Sequence, residues 1–289
     1  MQTSIDCIPC FLRQALEAAR FFSDSPAVHE RIVREVLEMA GRLDWHEPPP
    51  VVGQRIHRRL RELTGHADPY RPIKERHNRM ALALLPELAD KIADAEDPLV
   101  LAAHLAIAGN IIDLGVNGQL TEDEVHAAIE NALAKPLVGD PPALRAAFSE
   151  ASHVLYLADN AGEIVFDRLL IEQLGPSRVT VAVRGQAVLN DATFRDAEAA
   201  GLSELVEVID NGSDAPGTIL SDCSEAFRSR FAQADLIIAK GQGNYETLSN
   251  TKRSIFFLFR VKCPVIAADV GYPVGTHLAL AGGSNIRIQ

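Results

Sequence analysis

His153-Val154-Leu155-Tyr156-Leu157-Ala158-Asp159-Asn160-Ala161-Gly162-Glu163 is the stretch that decides the fold. A short apolar run, 153–158, gives way abruptly to a polar turn, and a helical pattern over 164–174 follows. A strand delivered into a glycine-containing turn and then a helix opens a βαβ unit. The alternation repeats downstream. Strands are expected at 178–183, 205–209, 236–239 and 264–268, with the Phe-rich 254–261 as a further one, and helices at 192–200 and 222–231. Strands alternating with helices imply a mostly parallel sheet covered on both faces. The expected fold is α/β, Rossmann-like.

The first half has a different texture and reads as helices. Ser25-Pro26 is a cap and first-turn signal, followed by Val28, Ile32, Val36, Met39 and Leu43 at helical spacing. Val52, Ile56, Leu60 and Leu63 repeat the period after Pro48-Pro49-Pro50 and stop at Gly65, and Thr121 with Glu124 makes a capping box. The expected division is a helical N-terminal domain over 1–150 and an α/β metal- and phosphate-binding domain over 151–289. The boundary lies near the proline-containing stretch 135–142, and the two parts are expected to pack together.

Composition narrows the function. The chain has 289 residues, 47% hydrophobic and 23% charged, with a net charge of −11. That acidity disfavours nucleic acid as the partner. No apolar stretch is long enough to cross a membrane, and MQTSIDC has neither the basic start nor the apolar core of a secretory signal. A cytoplasmic protein is expected. An acidic protein that handles phosphorylated compounds needs a local cation to offset its own field.

In open parallel sheets, ligands bind beyond the carboxyl ends of the strands. The loops expected there are Asp159-Asn160-Ala161-Gly162-Glu163, Leu189-Asn190-Asp191, Asp210-Asn211-Gly212, and Lys240-Gly241-Gln242-Gly243-Asn244-Tyr245-Glu246. Carboxylates and carboxamides suit hard cations such as Mg²⁺ and Mn²⁺. Asp159, Asn160 and Asp191 could supply three oxygens and leave positions open for catalysis. Lys240 would offer a point charge to phosphate oxygens, and Gly241 and Gly243 would let backbone N–H groups approach an anion. The same residues also suit ordinary turns, with Asp159, Asn160 or Asp191 capping a following helix and Lys240 in solvent.

Taken together and in this order, these motifs resemble the damage-control phosphatase family, whose members join a helical N-terminal region to an α/β domain. The resemblance runs from Cys7-Ile8-Pro9-Cys10 through Asp68-Pro69-Tyr70, Lys74, Asn78 and Gly109-Asn110-Ile111-Ile112-Asp113. It continues through the DNAGE, LNDAT and KGQGNYETL loops to Val261-Lys262-Cys263-Pro264. The cysteine pair is similar to the smaller prokaryotic branch. The resemblance implies a divalent metal on Asp159, Asn160 and Asp191, with Mg²⁺ or Mn²⁺ first and Co²⁺ or Ni²⁺ as alternatives. It implies Lys240 at the phosphate and a small phosphorylated metabolite as substrate. Gly241, Gly243, Asn244, Asn110 and Asp113 match family positions around the substrate. Lys74 and Asn78, four apart on one helical face, would either reach the substrate together or join the two domains.

The rivals are a carboxyl methyltransferase-like enzyme and a non-catalytic metal-binding protein. A nucleotide-binding fingerprint needs three glycines after the first strand, and DNAGE has one. Of the four cysteines, Cys7, Cys10 and Cys263 would either share a thiolate metal site or pack as buried thiols. The histidines show no paired metal spacing, and His104 and His153 are expected in apolar surroundings. Self-association into a homo-oligomer stays open.

Overall fold

A computed structural model describes residues 1–110 and 122–282. Thr121 and Asp113, and with them the capping box and one family position, lie outside the described residues. Three amphipathic helices, α1 (Cys7–Phe22), α2 (Pro26–Ala40) and α3 (Pro49–Thr64), share one apolar cluster built on Phe11, Ala15, Ile32, Val36, Val52, Ile56 and Leu60. Pro26 and the Pro49-Pro50 pair occupy first-turn positions, where the missing N–H costs nothing. The proline run therefore starts α3. Then come α4 (Arg71–Ala93), α5 (Pro98–Ala108) and α6 (Glu122–Leu133).

The sheet has seven strands: β1 (Leu137–Gly139), β2 (Val154–Leu157), β3 (Val179–Val183), β4 (Glu207–Asp210), β5 (Leu236–Lys240), β6 (Ile255–Arg260) and β7 (His277–Gly282). Their order is β1-β7-β6-β5-β2-β3-β4, parallel except where β7 pairs with β6. β1, which lies before the expected boundary at residue 150, pairs with β7. The crossing helices are α7 (Pro141–Glu150), α8 (Glu163–Leu174), α9 (Phe194–Ala199), α10 (Glu225–Gln233), α11 (Gly241–Leu248) and α12 (Pro264–Val270).

One expected strand is corrected. Residues 264–268 form α12, not a strand. Pro264 fits the first helical turn but would break a ladder, and Gly271 closes the helix in the left-handed region. Only Ile266 of this helix is buried, whereas the central strands are covered on both faces.

Strand residues alternate between two cores. Val154, Tyr156, Val181, Ile238 and Leu258 face α5 and α8, while Leu155, Leu157, Ile237, Ala239 and Phe257 face α10 and α11. Burying a side chain of this size is worth about 1.5–3 kcal/mol, so the sheet is a rigid platform for the loops at its carboxyl edge. Among the described residues, no helix is long and apolar enough to cross a membrane.

Candidate functional site

The strand order reverses at β2, which lies between β3 and β5. Chains leaving β2 and β5 therefore diverge to opposite sides, and the crevice between them is where open α/β sheets bind ligands. The DNAGE loop follows β2 and the KGQGN segment follows β5. Gly241 has φ +78°, and a Cβ there would lie 2.0 Å from Asp159 Oδ2. Only glycine lets the start of α11 press this closely on the Asp159 carboxylate.

Asp159, Asn160 and Asp191 come together. Asn160 and Asp191 form an isolated antiparallel bridge, and Ala192 N donates to Asp159 O at 2.7 Å. All three residues are buried. Asn160 Nδ2 donates to Asp159 Oδ2 at 3.0 Å and to Glu163 Oε2 at 3.2 Å. The capping alternative fails for each of them. Thr193 caps α9 in a reciprocal box with Asp196, and Gly162 precedes α8 with no side-chain cap.

Burial, then repulsion from Glu163 and from Asp191, pushes the Asp159 carboxyl well above its usual range. Burial also raises Asp191, against the opposing pull of Arg184. Arg184 Nε donates to Asp191 Oδ2 at 2.7 Å, and its Nη2 lies 3.8 Å from Asp159 Oδ1. Arg184 immediately follows β3, a place to which the strand-end rule points, and it is not among the residues expected from the sequence.

Lys240 is a correction. Its side chain is wholly buried, and Nζ donates to Ala106 O at 2.8 Å, Glu163 Oε1 at 2.6 Å and Asp167 Oδ1 at 2.6 Å. An ammonium has three N–H donors, and all three are used. Burial alone would lower its pKa, but Asp167 and Glu163 outweigh that and hold it above the ordinary lysine value. The structure therefore turns Lys240 away from a phosphate and makes it the counter-ion of Glu163, which in turn holds Asn160. Glu163 is a second residue whose part the sequence did not reveal.

Gly243 and Asn244 are packed closely into the protein. A Cβ on Gly243 would lie 2.2 Å from Pro216 O, so that space is filled by protein backbone. Asn244 is fully buried, donating to Lys240 O at 2.7 Å and accepting from Thr218 Oγ1 at 2.8 Å. Asn211 likewise serves the local turn, accepting from Gly185 N and Ser213 N.

In the helical part, Lys74 and Asn78 meet on one carboxylate: Lys74 Nζ lies 2.9 Å from Asp196 Oδ2, and Asn78 Nδ2 donates to Asp196 Oδ1 at 3.0 Å. Asn78 Oδ1 accepts from Gly162 N at 2.6 Å. This is the joining role: α4 holds the DNAGE loop and α9 together. Asn110 Nδ2 donates to Glu163 Oε2 at 3.0 Å, so it too supports the loop.

Among the described residues, no group of three or more His, Cys, Asp or Glu side chains is gathered as a metal-binding set. The donors at Asp159, Asn160 and Asp191 are two carboxylates and a carboxamide. Their surroundings nonetheless fit a divalent cation. In the buried network four carboxyl groups (Asp159, Glu163, Asp167, Asp191) face two cations (Arg184, Lys240), so full ionisation would leave two negative charges for a bound cation to offset. Cys7 and Cys263 are half-buried against apolar clusters, and Cys10 is exposed. His104 is buried and hydrogen-bonded to His277 at 3.1 Å, whereas His153 is exposed, contrary to expectation.

Fold and site together define an α/β protein with an acid-rich cluster at the switch point of its sheet. Comparison with known proteins gives the family. Residues 3–278 match the damage-control phosphatase ARMT1-like domain, and the chain belongs to that family. An uncharacterised protein of Methanocaldococcus jannaschii is 33% identical over 95% of this chain and 94% of its own. A damage-control phosphatase of Archaeoglobus fulgidus is 35% identical over 73% of this chain and 75% of its own. The crystal structure of PH1575, a DUF89 family protein of Pyrococcus horikoshii, aligns with a TM-score of 0.88 at 30% identity, over 98% of this chain and 99% of that one.

Proposed function

We propose that this protein is a metal-dependent phosphatase of small phosphorylated metabolites with a house-cleaning role, acting at the Asp159–Asn160–Asp191 cluster. The observation that carries the reading is the convergence of two buried carboxylates and a carboxamide, from the loops after β2 and β3, inside a network short of positive charge. Relatives named damage-control phosphatases support it. Asp159, Asn160 and Asp191 would hold the cation, Mg²⁺ or Mn²⁺ before Co²⁺ or Ni²⁺. When bound, such an ion supplies charge neutralisation at a phosphoryl oxygen and a more acidic water.

The chain's own groups supply the positioning on which phosphoryl transfer depends. Arg184 fixes the Asp191 carboxylate, Glu163 fixes the Asn160 amide, and Lys240 fixes Glu163. Asp159 Oδ2 accepts from Asn160, and Gly241 packs against the carboxylate. That crowding favours water over Asp159 as the attacking group. In the hydrolysis the water oxygen bonds to phosphorus, the ester P–O bond breaks, and the water's proton ends on the leaving oxygen.

Asp159→Ala and Asp191→Ala should each lower metal-stimulated phosphate release from sugar phosphates by more than ~100-fold, since even groups that merely support metal ligands are worth 10–100-fold. Near-normal turnover in both variants removes the assignment. Phosphate release without a methyl donor separates this reading from a methyltransferase, and turnover of any phosphate ester separates it from a metal-binding scaffold.

A further inference from the structure

A cavity of about 220 Å³ lies between α4 and α9, and none of the cluster's own residues lines it. Arg71, Lys74 and Arg79 of α4 and Arg195 of α9 reach it, as do the carboxylates of Asp68, Glu75 and Asp196. Four cations thus meet three carboxylates, in a chain whose net charge is −11. A local excess of positive charge in so acidic a protein favours an anion there. The volume is several times the ~30 Å³ that one water takes, so a small oxyanion fits.

Two features leave the cavity open to a ligand. The first is spare donors. Among the described residues the Arg79 guanidinium makes no hydrogen bond or ion pair. Arg71 and Arg195 share a single carboxylate, Glu75, at 3.5 and 2.9 Å. Exposed pairs of this kind are weakly held, whereas a guanidinium fork matches the oxygens of a phosphate. The second is a spare acceptor. Asp68 Oδ2 lies 3.5 Å from Lys74 Nζ, and Asp68 Oδ1 is buried with no hydrogen-bond partner among the described residues. A buried acceptor of this kind calls for a donor, and the last torsion of an aspartate is soft enough to present it. Hydrogen phosphate carries an O–H that a carboxylate can accept, and sulfate at neutral pH carries none.

The floor of the cavity holds the cluster's loops from behind. Asn78 and Asp196 both line it. Asn78 accepts from Gly162 N, and Asp196 accepts from Asn78 Nδ2 and, at 2.9 Å, from Thr193 N. Gly162 is two residues from Asn160, and Thr193 is two residues from Asp191. An anion shared by the arginines of α4 and Arg195 of α9 would draw the two helices together across that joint. We propose that this cavity is a binding site for hydrogen phosphate, separate from the Asp159–Asp191 cluster, and that filling it tightens the hold of the cluster's loops on a cation. By reciprocity each ligand then raises the affinity for the other. The anion site stands without the function proposed above, and only the coupling rests on the metal of that reading.

The test titrates metal-free wild type, Arg79→Met and Asp68→Asn with inorganic phosphate and with sulfate by calorimetry. Arg79→Met should bind phosphate roughly 10- to 100-fold more weakly than wild type, the worth of a hydrogen bond to a charged group. Arg79 has no partner in the fold to lose, so the unfolding midpoint of ligand-free Arg79→Met should match that of wild type. Wild type should prefer phosphate to sulfate by about 10-fold or more, and Asp68→Asn should lose the preference, since an amide N–H donates to either anion. Saturating phosphate should raise Mn²⁺ affinity by about 5-fold more in wild type than in Arg79→Met. No phosphate binding by metal-free wild type, or equal affinity in wild type and Arg79→Met, overturns the site. Equal affinity of wild type for phosphate and sulfate overturns the choice of hydrogen phosphate, and an equal effect of phosphate on Mn²⁺ in both proteins overturns the coupling. A wild type that binds phosphate and no Mn²⁺ overturns the metal reading alone.

Discussion

Two clusters of buried charge adjoin each other at the switch point, and the protein treats them in opposite ways. Around Lys240, one ammonium meets three acceptors and two of them are carboxylates, so the charge is answered from within the chain. Around Asp159 and Asp191, two carboxylates face one guanidinium, and both are pushed toward protonation. Conspicuous charge in a motif therefore does not identify the chemistry. Under the function proposed above, the cluster whose charge is left uncompensated would serve a cation and a substrate, and the satisfied one would be its scaffold.

The largest expected effect breaks the scaffold. Lys240→Met would leave Glu163 and Asp167 buried without their counter-ion, and removing one partner of a buried pair costs about 3–5 kcal/mol. Chemical denaturation at neutral pH measures it, and a loss below about 1 kcal/mol would contradict a structural role. Gly241→Ala acts next, on the border between the clusters. The new methyl group would collide with the Asp159 carboxylate, so metal affinity should fall roughly 10- to 100-fold, as for other groups that orient a ligand. Calorimetric titration with Mn²⁺ checks this, and unchanged affinity would show that the carboxylate's position is not set there.

The smallest effect per group separates these clusters from other buried ionisable groups. Burial, aided in places by nearby cations, pulls His57 and His277 down to about 3 and His77 and His104 down to about 4. Between those values and the ordinary 6.5, the unfolded chain binds protons that the fold refuses, so stability falls as pH falls. Asp167 and Glu246, raised chiefly by burial to about 6 and about 7, and Asp159 and Asp191, also raised by burial, work the other way, because the fold takes their protons first. The two sets oppose each other, so the test removes one histidine: the denaturation free energy of His104→Gln should fall less than that of wild type between pH 6.5 and pH 4.5, by up to about 1.4 kcal/mol per unit. Identical pH profiles for wild type and His104→Gln would mean that His104 charges freely in the fold.

Much of the fold was legible because periodicity is local. The runs at 153–158, 178–183, 205–209, 236–239 and 254–261 each coincide with a strand, within a residue or two. The misreading of 264–268 came from an apolar run too short to distinguish a strand from a helix, where Pro264 at its start was the better signal. β7 went unrecognised as a strand, and β1 is short and lies in a proline-containing segment read as a boundary.

By itself the sequence determined most of the element types, the loops at strand ends, and the grouping of Asp159 and Asn160, which are neighbours on one loop. Only the tertiary structure decided the strand order that sets β2 beside β5, the closeness of Arg184 to Asp191, and the direction in which Lys240 points. The physical reason is that a strand end fixes where a side chain begins. Where its charged tip finishes depends on which distant acceptors, here Ala106, Glu163 and Asp167, can replace the water it gives up on burial.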